Sequence, residues 1–293
     1  MKCRTVQQMV KFMMAEKVTR QTIKQLKEFY PWLSNRTASI FLVKKAVTLT
    51  KDKVEIDLAQ AREIILKSKL YKFEPKEGKQ KLEVVFESNN ILAVNKPART
   101  DVFNFTENDE SLNSQVANWL LQSEAHIFDE PSPIHRLDKD TSGLILYALN
   151  PETLSKYSAF FRRRQLDKTY LAVVAEEPAQ ANIQISNFIS ERTGKKNRHY
   201  VTAPGHGKPA ETEIKFLKQN SLGYLLEVHP KTGRTHQIRV HLHSLENPIL
   251  GDYLYGGIDA DRMMLHALKI FIPETKEEFY APAPAEFGYE RSK

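Results

Sequence analysis

Cysteine is nearly absent from this chain: Cys3 is the one such residue among 293. A lone thiol closes no intrachain disulfide and supplies no thiolate cage for zinc, so a reducing cytosol is the expected compartment. Long apolar runs are missing as well. The opening MKCRTVQQMVKFMMAEK lacks the continuous hydrophobic centre of a secretion signal, and no stretch reaches the roughly 20 apolar residues of a membrane-spanning helix. No internal repeat and no low-complexity tract interrupts the sequence.

What remains is the composition of a soluble globular protein, 41% hydrophobic and 27% charged. The length allows a well-buried core and two domains. The net charge of +7 is unevenly placed: residues 1–80 carry 18 Lys/Arg against 8 Asp/Glu, and the remainder 25 against 28. A basic front end on a near-neutral body fits a polyanion-binding module, or else a solubilising surface. YKFEPKEGKQK, residues 71–81, is charged, broken by Pro75 and Gly78, and reads as the linker.

Before the linker, TRQTIKQLKEFY predicts a basic helix with Ile23, Leu26 and Phe29 on one side, and FLVKKAVTLT and KVEIDL predict short strands. After it, LEVVFESNNILAVNKP predicts a hairpin turning at Asn89-Asn90. SLNSQVANWLLQ spaces Leu112, Val116, Trp119 and Leu120 helically behind Ser111 as N-cap. LILYAL reads as a strand. Asn150-Pro151-Glu152 opens a helix carrying Leu154, Tyr157, Phe160 and Phe161 and ending in Arg162-Arg163-Arg164. KTYLAVVA, AETEIKFLK, LGYLLEVHP and RMMLHALKIFI read as strands, with a helix in TGRTHQIRVHLHSL. Strands interrupted irregularly by helices predict an α+β fold on a mixed sheet rather than a doubly wound one.

Chemistry concentrates in PIHRLDKDTSG, residues 133–143. Arg136 and Asp138 project from the same side of an extended chain, just before a buried strand. A carboxylate at that lip needs a cation or a hydrogen-bond donor, as a structural salt bridge would also provide. A kinase loop is excluded: Leu137 precedes Asp138, and there is no glycine-rich phosphate loop upstream, no Asp-Phe-Gly and no Ala-Pro-Glu. In TGRTHQIRVHLHSL, a helix starting near Thr235 aligns His236, Arg239 and His243 on one face. Ile238, Leu242 and Leu245 then face the core, and Arg234 precedes the helix where a phosphate would sit. The histidines lack a carboxylate at ligand spacing, which argues against a metal. Tyr170 is either core or a flat face for a base. GKKNRHY at 194–200 and Arg162–Arg164 are basic enough to follow a phosphate backbone, or to be solvated faces.

HRLDKDTSG at 135–143, KTY at 168–170, GKPAET at 207–212, TGRTHQIRVHL at 232–242, NPILGDYLYGG at 247–257 and LHA at 265–267 occur in one order. Together with the 82–97 hairpin, this set resembles the RluA-like family of RNA pseudouridine synthases over residues 82–287. The resemblance implies isomerisation of uridine in RNA, without metal or organic cofactor, on a mixed, largely antiparallel sheet spanning 82–293. It implies Asp138 as the catalytic carboxylate, Arg239 as its ion-pair partner and Tyr170 against the flipped base. Arg136 would occupy the place the uridine leaves, and Leu265 would wall the uracil pocket. His135, Arg234, His236 and Gln237 would complete the RNA-binding set. Asp140, two residues from Asp138, has no catalytic role in that family and suits the turn.

Two stretches depart from the family pattern. NKPARTDVFNF has Arg99 where glycine is common. Residues 1–70 only loosely fit the small ribosomal-protein-like RNA-binding module that many members carry, with VTRQTIKQLK resembling its basic helix. The implied partner is RNA, ribosomal from the large subunit or else transfer RNA, and the chain is expected to be a cytoplasmic monomer with no membrane contact. A non-catalytic RNA-binding protein on the same fold is the rival reading, and loss of Asp138, Tyr170 or Arg239 would mark it. A hydrolase pairing Asp138 with Asp140 is a third, which would release free uracil.

Overall fold

The computed structural model describes residues 22–24, 26, 35–49, 54–67, 77–78, 81–103, 110–122, 131–191 and 198–291. Most of the expected basic helix, most of the 71–81 linker and residues 194–197 of the basic loop lie outside these. Residues 22–24 and 26 are helical. No helix among the described residues is long and apolar enough to cross a membrane.

The N-terminal part contains helix α1 (Asn35–Val43), strands β1 (Val47–Leu49) and β2 (Val54–Ile56), and helix α2 (Leu58–Lys67). β1 and β2 pair antiparallel, with Val47 opposite Ile56. The strand expected across FLVKKAVTLT is half wrong: Phe41-Leu42-Val43 ends α1, and the strand begins at Val47. Ala38 and Phe41, three residues apart, enter the same cluster as Leu26 and Ile64, and that burial outweighs the strand preference of Phe-Leu-Val. Lys45, at φ 60°, turns the chain between the two elements. Asp57 caps α2, its carboxylate accepting from the Gln60 N–H at 2.9 Å.

The rest of the described chain builds one sheet from β3 (Glu83–Glu87), β4 (Ile91–Lys96), β5 (Ser132–Pro133), β6 (Ser142–Ala148), β7 (Asp167–Val174), β8 (Asn182–Ser190), β9 (Val201–Thr202), β10 (Gly207–Gln219), β11 (Tyr224–Pro230), β12 (Leu265–Ile272) and β13 (Glu277–Tyr280). The strand order is β3-β4-β6-β12-β7-β11-β10-β8-β9, with β5 added to β6 and β13 to β12. Only β6 and β12 run parallel among these pairs, so the sheet is mixed and largely antiparallel, as the sequence predicts.

Three helices serve this sheet: α3 (Leu112–Gln122), α4 (Pro151–Arg163) and α5 (Gln237–Ser244). β6 is apolar on both faces because each face is covered. Leu144, Leu146 and Ala148 meet Tyr157 and Phe160 of α4, while Ile145 and Tyr147 meet Leu112, Val116 and Leu120 of α3. Both predicted caps are formed. Asn150 Oδ1 accepts from the Thr153 N–H at 2.8 Å, and Ser111 Oγ from the Ser114 N–H at 3.2 Å. The opposite side of α3 contributes Ala117 and Leu121 to the core of the N-terminal part, so one helix is shared by both.

Two backbone details place the site. Gly143 stands where β6 meets β12, at φ 112°, and a Cβ there would lie 2.2 Å from the Ala267 carbonyl oxygen. Any other residue would push apart β6, which follows the Asp138 loop, and β12, which begins at Leu265. Arg99, the departure from the family's glycine, adopts φ 60°, the left-handed region a glycine enters freely. Its guanidinium bonds the Asp261 carbonyl, which offsets part of the strain.

Candidate active site

Asp138 lies on the loop between β5 and β6, and three devices hold that loop. The Asp138 carbonyl accepts from the Thr141 N–H at 3.2 Å, closing a turn. His135 Nε2 accepts from the Leu146 N–H at 3.1 Å, and its ring stacks on Phe161 at 4.7 Å. Lys96, fully buried at the end of β4, sends its ammonium to the carbonyls of Pro97 (3.0 Å), Thr100 (2.8 Å) and Lys139 (2.8 Å). Three acceptors match the three N–H groups of a protonated lysine, although burial pulls its pKa down to about 7. The Asp138 side chain itself stays 23% exposed.

Opposite it stands Arg239 of α5. Its Nη1 is 3.2 Å from Asp138 Oδ2, and its Nε and Nη2 bond the two oxygens of Asp252 at 2.7 and 2.8 Å. Burial opposes the charge of Arg239, but Asp252 and then Asp138 raise its pKa above the ordinary value, so it remains a cation. The bidentate bond fixes the plane of the guanidinium and therefore the direction in which Nη1 points. Beneath it lies the ring of Tyr255, 5.0 Å from the Arg239 carbon Cζ.

Asp138 and Arg239 open onto a cleft of about 570 Å³. Tyr170 of β7 and Leu265 of β12 line it, as does the whole run from Pro230 to Arg239. Eight Lys/Arg line it, among them Arg136, Arg162, Arg164 and Arg234, against Asp138 as the single carboxylate among the described lining residues. Burial, and Asp138 after it, push the Tyr170 phenol above its usual pKa, so it is a neutral hydroxyl with an apolar face. Lys168 sits in the cleft with its ammonium 2.6 Å from the Thr232 carbonyl, and burial lowers its pKa to about 8. Such a volume, with a flat aromatic, an apolar wall, one carboxylate and a cationic rim, suits a base and ribose attached to a phosphate chain.

The expected residues are not all alike in placement. Asp138, Tyr170, Arg239, Arg136 and Leu265 converge on the cleft, with Arg136 exposed at its mouth. His135 borders it, yet its imidazole is taken up by Leu146 and Phe161, which makes it a support for the loop. Gln237 is buried: its amide accepts from the Thr232 hydroxyl at 2.6 Å and the Arg234 N–H at 2.9 Å, and donates to the Glu211 carbonyl at 2.8 Å. The Arg234 N–H is therefore bonded within the fold, while the Arg234 side chain lines the cleft. The helix begins at Gln237, not near Thr235, because His236 takes a left-handed φ of 55°. His236, Arg239 and His243 nevertheless gather on one side, around the Tyr255 ring. Leu245, expected in the core, is 41% exposed because α5 stops at Ser244. Asp140 does not line the cleft; its charge acts on buried Lys96. Sequence reasoning missed Lys96, Asp252 and Tyr255, although all three lie in NKP and NPILGDYLYGG, segments whose order carried the resemblance.

Three histidines around this site, His241 and His266 buried and His135 half-buried, make a pH prediction. Burial holds His135 down to about 3 and His241 and His266 each to about 4, from 6.5. His241 is engaged by Thr212 and Asn187, and His266 by Ser142 and the Ala281 carbonyl. The folded values lie below the unfolded one, so the unfolded chain protonates first. Their contribution is complete above about pH 6.5 and is lost as pH falls toward 4, with a slope of up to about 4 kcal/mol per pH unit for three protons. Urea unfolding from neutral pH down to about 5 should show this steep loss. A flat profile would mean that the rings are charged in the fold.

Comparison with known proteins accords with this geometry. The model of a family described as RNA pseudouridylate synthase matches residues 90–244, more than half of the chain and inclusive of Asp138, Tyr170 and Arg239. Ribosomal large subunit pseudouridine synthase D of Borreliella burgdorferi is 32% identical over 213 residues, which cover 68% of this chain and 63%, just under two thirds, of that protein. tRNA pseudouridine synthase C of Vibrio cholerae is 29% identical over 242 residues, 72% of this chain and 98% of that one. Among solved structures, Human RNA Pseudouridylate Synthase Domain Containing 1 superposes with a TM-score of 0.59 at 28% identity, covering 71% of this chain and 86% of that one. Motif order, sheet topology and family model agree: this chain belongs to the RluA-like family of RNA pseudouridine synthases.

Proposed function

We propose that the protein converts uridine to pseudouridine in ribosomal RNA of the large subunit, with Asp138 as the reacting carboxylate. The observation that carries this is one carboxylate among eight Lys/Arg in the described lining of the cleft, its Oδ2 held by Arg239. The bond from uracil nitrogen 1 to the sugar breaks with its electron pair leaving on the base, so positive charge grows on the sugar beside Asp138. The base then rejoins through carbon 5, whose proton is lost to solvent while nitrogen 1 gains one. Tyr170 offers the released ring a face to lie against, and Leu265 limits its movement. Arg136 at the mouth fills the gap left by the extruded nucleotide. Arg162, Arg164 and Arg234 follow the flanking phosphates.

Residues 1–70 act as an RNA-binding module, supported by their excess of basic side chains. That excess favours the large polyanion of ribosomal RNA over transfer RNA. A cytoplasmic monomer fits such a substrate. The test is tritium release from RNA labelled at uracil carbon 5. Release from large-subunit ribosomal RNA, and not from transfer RNA, is the expected result. Release from transfer RNA alone would move the substrate, and free uracil without release would replace isomerisation by hydrolysis.

A further inference from the structure

We propose that Tyr255 sets the tautomer of His236, and that the pair thereby determines which oxygen of Asp138 reacts. The starting point is the backbone: His236 is held at φ 55°, ψ 20°, and its side chain makes no capping bond to α5. A left-handed non-glycine residue persists where its surroundings over-determine it. The ring is edge-on to Tyr255 at 5.7 Å and to His199 at 5.6 Å. Its Nδ1 lies 3.0 Å from the Tyr255 hydroxyl, and its Nε2 lies 3.7 Å from Asp138 Oδ2.

The tautomer follows from counting protons. The Tyr255 oxygen already accepts from the His199 backbone N–H at 3.0 Å. Among the described residues, His236 Nδ1 is the acceptor that the hydroxyl proton of Tyr255 reaches. Once Nδ1 accepts, a neutral imidazole carries its proton on Nε2, the nitrogen facing Asp138. Burial, the largest influence on His236, lowers its pKa and favours the neutral ring. At 3.7 Å the contact is longer than a hydrogen bond, so this role of His236 requires it to shorten in the substrate complex. Arg239 addresses the same oxygen, Oδ2, from 3.2 Å. Two donors on Oδ2 leave Oδ1, which has no donor among the described residues, as the oxygen that meets the sugar. His236 and Tyr255 are therefore positioning residues, and without the Tyr255 proton the ring is free to turn a lone pair toward a carboxylate.

This rests on the synthase reading, so the test has one arm that needs no RNA. In nitrogen-15 spectra of histidine-labelled protein, with the His236 signals assigned by their loss in His236→Gln, the wild type should show Nε2 protonated and Nδ1 bare. Tyr255→Phe keeps the ring under Arg239 and should shift His236 away from that tautomer. In the tritium assay the same variant should lose kcat by roughly 10- to 100-fold with KM changed less than about twofold. His236→Gln, which keeps a neutral donor, should retain more activity than His236→Leu. A wild-type ring protonated on Nδ1 would overturn the proposal, and so would a Tyr255→Phe enzyme with unchanged kcat. Thermal melting of each variant separates these outcomes from misfolding.

Discussion

Asp138→Asn should reduce carbon-5 tritium release by at least about a thousandfold while leaving the protein folded and bound to RNA. The expectation follows from what the side chain touches. Its carboxylate meets Arg239 at 3.2 Å and His236 at 3.7 Å, and remains 23% exposed, so neutralising it removes little buried interaction. Arg239 keeps both bonds to Asp252, and no orphaned cation is created. In the cleft, however, the substitution deletes the single carboxylate among the described lining residues, which include eight Lys/Arg. Affinity for a polyanion should hold or rise, because a repulsive charge has gone. Loss of turnover with retained or tighter binding is thus the signature of a carboxylate that acts on the sugar. Substantial activity in the Asn variant would remove Asp138 from the chemistry and return the loop to a structural role.

Asp252→Asn should act differently, losing stability first and activity with it. Asp252 is 1% exposed and Arg239 6% exposed, and they meet through two short bonds. Removing the charge of Asp252 leaves the buried guanidinium with Asp138, 3.2 Å away, as its one remaining counter-ion among the described residues, at a cost of about 3 kcal/mol. The double variant Asp252→Leu with Arg239→Met removes both charges and replaces them with apolar side chains. It should recover much of that stability and none of the activity, since Oδ2 of Asp138 has then lost its principal donor. Denaturant midpoints and tritium release, measured on the single and double variants, separate the two contributions. If the double variant turned over RNA, Arg239 would be a structural residue alone.

Much of the site was legible in linear sequence because its parts are local. Arg136 and Asp138 lie two apart at the lip of a strand, and the polar run Asp140 to Gly143 marks the turn. Asn150-Pro151 and Ser111 announce helix starts through caps that need only three or four neighbouring residues, and both caps are formed. Long-range partners were not legible. Asp252 reads as one acid in a glycine-rich stretch until α5 is laid beside it. Lys96 reads as an exposed lysine until three carbonyls, one from the Asp138 loop, close around it. For His135 and Gln237, polar residues inside a motif that the resemblance assigned to RNA, no local signal shows that the fold also uses their hydrogen bonds.

The sequence by itself determined most of the elements, the mixed sheet class and the charge asymmetry. These depend on periodicity, capping and composition, which act over a few residues. Asp138 as the expected reacting carboxylate came from the resemblance in motif order. Only the tertiary structure decided that Phe41 lies in a helix, that His236 sits left-handed before α5, and that Arg239 is gripped by Asp252 before it reaches Asp138. Each of these depends on which surfaces are buried together, and burial couples residues such as Asp138 and Arg239, 101 positions apart, whose contact no local pattern records.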